Sequence, residues 1–291
     1  MTDYKIDWLK ANGKRYLAWL ALAIAFSIAC WFLSQWQLSR LNEVKAANAL
    51  VTKNYDSAPQ KLQDLAQPES FDKSNQFKQV TLTGHYGKDF LLIRNRPQNG
   101  QPGFEQFAPF TTTEGNVVFI DRGWYPTGTK QDLPDATQQL FTDCTPITIV
   151  GHLKVAEPDS QKDYPVGQIG NASPLEAFDQ LPKYNLSVGT PCGISTDLTY
   201  FNSIYVTLES ENPPLTTANA PKAIQRPELS EGNHLSYAMQ WVLFALMAFI
   251  ALFYMIRQEL LIKKEQTDKN FKRKTRKKIG QADEDYEDQL T

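Results

Sequence analysis

The chain has 291 residues, 42% of them hydrophobic and 21% charged, with a formal net charge of −2. That length allows one or two domains, and a near-neutral chain without a stripe of basic and aromatic residues is not built to hold nucleic acid. With three histidines and three cysteines in all, a dense metal cluster is excluded as well.

The averages hide an uneven distribution. From Tyr16 to Ser39, 24 residues, there is no Asp, Glu, Lys or Arg. A helix rises about 1.5 Å per residue and so reaches about 36 Å over such a stretch, more than the hydrocarbon core of about 30 Å. Residues 16–39 are therefore expected to form a first transmembrane helix. The run is too long for the apolar region of a signal peptide, and Trp36-Gln37-Leu38-Ser39-Arg40 after it offers no small-residue cleavage signal. Within it, Ala21, Ala25 and Ala29 recur at four-residue intervals, a spacing that allows close helix contact and predicts packing against the second span. Leu41, Val44, Ala47 and Leu50 continue the helical spacing beyond the membrane.

From residue 77 onward the pattern becomes strand-like. Candidate strands are 77–85, 90–95, 104–111, 117–121, 147–153 and 201–208, with Glu114-Gly115-Asn116 as a hairpin signal between two of them. Residues 157–200 read as an insertion containing a short helix at 174–181, and 213–227 as an extended linker. Two patches stand out: Arg94-Asn95-Arg96-Pro97, and Val118 through Pro126 with Asp121-Arg122-Gly123-Trp124. The second reads either as a strand end presenting Arg122 and Trp124 at a binding rim, or as a strand end with Asp121 and Arg122 in ion pairs and Trp124 in the core.

Gly232 to Ile256 is again free of Asp, Glu, Lys and Arg, and residues 233–256 are expected to form the second span. Basic residues are retained on the cytoplasmic side. Lys5, Lys10, Lys14 and Arg15 precede the first span, and a basic cluster including Arg257, Lys263, Lys264 and Lys272 follows the second. Both termini, 1–15 and 257–291, are thus expected in the cytoplasm, and the tail can meet anionic lipid. The intervening 40–232 carries 16 basic and 22 acidic residues, net −6, and is expected in the periplasm. The acidic residues Asp3 and Asp7 argue against a transit peptide and for a bacterial inner membrane. In that compartment Cys144 and Cys192 can form a disulfide or remain as two thiols. The fold expected is a membrane α-helical hairpin of two transmembrane helices plus an exported β-rich α+β domain, an antiparallel sheet or small barrel.

No phosphate-binding glycine loop, Gly-x-Ser-x-Gly or His-Glu-x-x-His occurs. The feature that carries chemistry is Asn233-His234-Leu235-Ser236-Tyr237-Ala238-Met239-Gln240-Trp241. His234, Tyr237/Ala238, Trp241, Ala245 and Ala248 share one helical face. An imidazole over small residues, with an indole two turns away, has the chemistry to ligate the iron of a flat apolar macrocycle. The same residue types serve equally as an interfacial belt, so both readings stand.

Taken together, these residues resemble the Surfeit locus protein family, assembly factors of haem-copper cytochrome oxidases. The matches, in the family's order, are Trp36-Gln37-Leu38-x-Arg40, Arg94-Asn95-Arg96, Gly103-Phe104, Asp121-Arg122-Gly123-Trp124-Tyr125-Pro126, and His234-Leu235-x-Tyr237-Ala238-x-x-Trp241. Asp121 stands where the family often has Asn. The resemblance implies a non-enzymatic role in maturing the oxidase's largest subunit, by binding or delivering haem A. His234 would be axial ligand to the haem iron, with Trp241 and Tyr237 as cofactor-binding companions. Haem A synthase is then a further candidate partner, and Trp36, Arg40, Arg94, Arg96, Arg122 and Trp124 are candidates for partner binding. A competing reading is a membrane scaffold that steadies the oxidase subunit and never holds haem, and a third is a metal or thiol factor using Cys144 and Cys192.

Overall fold

In the computed structural model, described for residues 2–129, 133–140, 145–183, 198–215 and 218–267 (side chains from residue 12), the chain divides into two units. One comprises residues 1–44 and 231–291, the other 45–230.

The first unit is a pair of antiparallel helices, α1 (Thr2–Asn54) and α4 (His234–Thr267). Each contains a stretch long and apolar enough to cross a membrane. The absence of charge marks each candidate span, but α1 outruns it at both ends and α4 at its C-terminal end, because Arg, Lys and Glu are good helix formers once outside the apolar layer. The stripe of α1 that faces α4 is Tyr16, Ala23, Cys30 and Ser34, all buried, with Ser27 and Gln37 half-buried along it. Steps of three and four residues keep one helical face toward the partner. The expected Ala21, Ala25 and Ala29 ridge is exposed instead: it lies on a face rotated away from this stripe. On α4 the matching face is His234, Ala238, Trp241, Ala245 and Ala248; of the Tyr237/Ala238 pair that the spacing left open, Ala238 is buried and Tyr237 is exposed. The outward faces are apolar, with Leu17, Phe32, Met239, Ile250 and Phe253 among the most exposed side chains, as lipid contact requires.

The second unit holds β1 (Gln60–Lys61), the one-turn α2 (Leu62–Leu65), β2 (Gln79–Tyr86), β3 (Leu91–Ile93), β4 (Gly103–Thr112), β5 (Asn116–Pro126), β6 (Ile147–Val155), β7 (Gln168–Ile169), α3 (Pro174–Lys183), β8 (Thr199–Tyr200) and β9 (Ile204–Asn212). The order β2–β6–β9–β5–β4 returns to β2 through Gly84↔Thr112, His85↔Thr111 and Tyr86↔Phe110, closing a five-strand barrel. Closure removes the unpaired strand edges that a small open sheet would expose. The sheet is not wholly antiparallel as one reading of the sequence had it: β5 and β9 pair in parallel at Ile120↔Val206 and Asp121↔Thr207.

The alternation of side chains along β4 and β5 fills two cores. Ala108, Phe110, Val118 and Ile120 face inward with Val80, Leu82, Ile149, Leu153 and Val206. Phe107 and Phe119 face the other way, stacked at 4.6 Å, under Ile169, Ala177 and Leu181. Residues of the expected 157–200 insertion therefore supply β7, α3 and half of the second core. Cys144 and Cys192 lie outside the described residues.

Candidate functional site: the His234 end of the helix pair

His234 is the first residue of α4, and its helix opens with the Tyr237 N–H donating to the Asn233 carbonyl at 3.1 Å. One nitrogen of its ring, Nδ1, lies 2.9 Å from Oε1 of Gln37 on α1. An amide oxygen only accepts, so Nδ1 carries the proton and donates. In the neutral imidazole the lone pair is then on Nε2, the nitrogen a metal would take. One turn further along the pair, the Ser34 hydroxyl donates to the Ala238 carbonyl at 3.1 Å. Moving three residues back along α1 is matched by four forward along α4, so the two contacts set a single register for this end.

Gly232, with φ +63°, turns the chain into the helix. A Cβ there would stand 3.7 Å from His234 Nε2, in ordinary van der Waals contact with that edge of the ring. Trp241 is half-buried and edge-on to Phe244, with ring centroids 5.7 Å apart. Tyr237 is half-exposed at 51%. A ring nitrogen whose partner nitrogen is bonded to an oxygen has the chemistry to take the iron of a macrocycle. Among the described residues no group of three His, Cys, Asp or Glu forms a metal site. At the far end of the pair, Arg15 and Tyr16 both bond the Glu259 carboxylate. Between the two ends lies a shallow apolar groove of about 400 Å³ lined by Trp19, Phe26, Ala248 and Leu252. Gln37 and Ser34 were not picked out in the sequence as working residues, though a polar amide in a charge-free run, three residues from Ser34 and four from Leu41, was a legible signal.

The other candidates are placed differently. Trp36 is 57% exposed, and Arg40 is exposed and bonded to Glu43 at 2.6 Å. Arg94 donates to Gln168 Oε1 at 2.5 Å and lies 5.8 Å from the Phe104 ring centroid. Arg96 bridges Glu105 at 3.2 Å and Glu157 at 2.6 Å. Arg122 and Trp124 do not stand at a rim: they are 4% and 2% exposed. Arg122 donates from Nη1 to Gln106 (3.0 Å) and Gln138 (2.9 Å) and from Nη2 to both Glu211 oxygens, at 3.1 and 3.0 Å, and lies 4.8 Å from the Tyr86 ring centroid. Trp124 Nε1 donates to the Arg96 carbonyl at 2.6 Å. Its backbone exchanges bonds of 2.7 and 2.9 Å with Lys222, so part of the expected linker is pinned to the barrel. The reason is the local sequence. Gly123, at φ +145°, lets the chain bulge where Lys222 approaches, and a Cβ on it would fall 2.5 Å from the Lys222 carbonyl; one on Gly103 would fall 2.3 Å from Trp124 Nε1.

Asp121 is buried beside this network on the opposite face of the strand, with Oδ1 unpartnered. Burial, reinforced by the Glu105 charge, pushes its carboxyl well above the ordinary aspartate range. Burial likewise raises Glu105, against the pull of Arg96, and lowers the Lys154 ammonium.

The class these features define has a small closed β-barrel in one unit and, in the other, a pair of antiparallel helices with candidate membrane spans and a ligand-like nitrogen at one end. The sequence model of the SURF1 family matches residues 24–246, and the chain belongs to that family. It is 28% identical over 254 residues to an uncharacterised SURF1-like protein of Mycobacterium tuberculosis, covering 85% of this chain and 87% of the relative. A SURF1-like protein of Rickettsia felis is 24% identical over 251 residues, covering 84% and 97%, and one of Rickettsia bellii is 25% identical over 240 residues, covering 81% and 89%.

Proposed function

We propose that the chain is an assembly factor for a haem-copper terminal oxidase, and that it holds haem A for the nascent largest subunit through His234. Family membership supports the oxidase part. The observation that supports the haem part is the 2.9 Å contact from His234 Nδ1 to Gln37 Oε1, which leaves Nε2 as the donor nitrogen. Bound there, haem A would supply an iron in need of an axial nitrogen and a broad apolar ring. His234 would provide the nitrogen, and Tyr237 and Trp241 apolar flanks. The charge pattern of the termini favours a bacterial inner membrane, with both termini cytoplasmic and the barrel unit periplasmic. Haem A synthase is the natural donor, and the exposed Trp36 and Arg40 remain the surface candidates for partner contact.

The test is to co-express the chain with the enzymes that make haem A and purify it in detergent. The His234→Ala protein should be correctly inserted but lose most of its haem and the associated absorption bands. Wild-type haem content and spectrum in that variant would remove the ligand reading and leave the scaffold role.

A further inference from the structure

We propose that Gln37 is a positioning residue for His234: its amide oxygen holds the imidazole in the Nδ1–H tautomer and so turns Nε2 out as the ligand nitrogen. The inference rests on the haem-binding reading. It starts from what each group is able to do. Gln37 Oε1 lies 2.9 Å from Nδ1, and a carbonyl oxygen has no proton to give. Free histidine favours the other tautomer, with the proton on Nε2, which would hide the lone pair from any ligand approaching that edge. The acceptor must therefore be strong enough to reverse the intrinsic preference. Its setting helps. Gln37 is half-buried in a stretch without charged residues, where water competes poorly and a hydrogen bond gains strength.

The geometry is held independently of the pair itself. Ser34 is buried and clasps the Ala238 carbonyl one turn away, so α1 cannot slide along α4 without breaking that bond. Gln37 has a long side chain, and a fixed register is what keeps its oxygen within reach of Nδ1. Metal-bound histidines commonly donate their second N–H to an oxygen that orients the ring and raises its basicity. Here the orienting oxygen comes from the other helix, so the ligand is complete only when the hairpin is assembled.

Three variants of the full chain test this: Gln37→Leu, Gln37→Glu and His234→Ala. The first readout needs no haem. Nitrogen NMR of histidine-labelled protein in lipid nanodiscs, taken well above the ordinary imidazole titration at about pH 6.5, reports which ring nitrogen is protonated. The chain has three histidines, and the signal lost in His234→Ala assigns the residue. We expect Nδ1–H in the wild type and in Gln37→Glu, which keeps an acceptor, and a shift toward Nε2–H in Gln37→Leu. In the second readout, haem A titration, Gln37→Leu should bind about 10–100-fold more weakly, as loss of an orienting partner does, and Gln37→Glu should retain affinity. An unchanged tautomer in Gln37→Leu, or a changed tautomer with unchanged haem affinity, overturns the positioning role while His234 can still be the ligand. Full haem binding by His234→Ala overturns the underlying reading instead, whatever the tautomer measurement gives.

Discussion

Asp121 and Arg122 are neighbours in the chain and face opposite sides of one strand, and the two meet different fates. Arg122 enters the barrel interior and has its charge matched by Glu211, with two glutamine oxygens and the Tyr86 face around it. Asp121 is buried with one oxygen unpartnered, and its carboxyl titrates well above the usual range because burial penalises its charged form. A raised folded-state value means that folding takes up a proton as pH rises past the unfolded value, so this group costs stability at neutral pH and the cost is relieved by acid. Asp121→Asn should therefore raise the unfolding midpoint at neutral pH, with the gain shrinking as pH falls toward the carboxylate range; a constant gain at all pH values would contradict the assignment. Trp124→Ala should cost about 3–5 kcal/mol, as emptying a large core site does. Trp124→Phe keeps most of the ring and loses the bond to the Arg96 carbonyl, costing about 1–3 kcal/mol. Urea titration followed by proteolysis of the barrel would measure both.

Between the helices, the contact face rather than the alanine spacing decides the packing. Ser34→Leu forces a large side chain onto a buried position and removes the bond to the Ala238 carbonyl, so it should lower the thermal midpoint of the detergent-solubilised protein by several degrees, in line with overpacking costs of about 1–3 kcal/mol. Ala25→Leu points away from α4 and should leave the midpoint within error. Equal effects would mean that the helices pack through the alanine ridge after all. This contrast also shows how far the sequence carried. Charge-free runs announced both long apolar helices because their length and composition stand out in the sequence, and the face through His234, Ala238, Trp241, Ala245 and Ala248 followed from helical geometry on a helix with few small residues to choose from. On α1, small residues occur at 21, 23, 25, 27, 29 and 30, so spacing alone fits more than one face, and the choice is made by Ser34 and Gln37 reaching specific atoms on α4. Strand positions were legible within a few residues. The strength of β4 and β5 was not, because both are buried on their two faces and so lack the alternation that marks a half-exposed strand. Of the two readings of Arg122 and Trp124 the structure shows the buried one, with Arg122 paired to Glu211 and Trp124 in the core, and no local pattern reveals that Glu211 and Lys222 come back to lie against them.

Across the barrel unit as a whole, distant segments are joined through one stack of rings. Tyr55, just after α1, stacks on His152 of β6 at 3.8 Å, its other face carries Arg226 at 4.5 Å, and Arg226 also pairs with Asp56 at 3.0 Å. Burial holds His152 neutral below the usual histidine range. A base with a depressed folded-state value gives stability that is complete above the unfolded value, about pH 6.5, and lost as pH falls from there toward the folded value. The barrel should therefore weaken on mild acidification, and His152→Gln should flatten that part of the pH–stability curve; an unaltered slope would show that His152 does not control it. The strand order carries one more consequence, for synthesis. A ribosome delivers β2, β4 and β5 early, and these can pair at once, yet both neighbours of β9 wait for Ile204–Asn212. Until that strand arrives the nascent chain is an unfinished sheet with open edges, a form prone to mispairing. A chaperone that shields strand edges would accordingly be needed only during that interval, and a chain truncated before residue 204 should be cleared by quality control rather than persist as a shorter barrel.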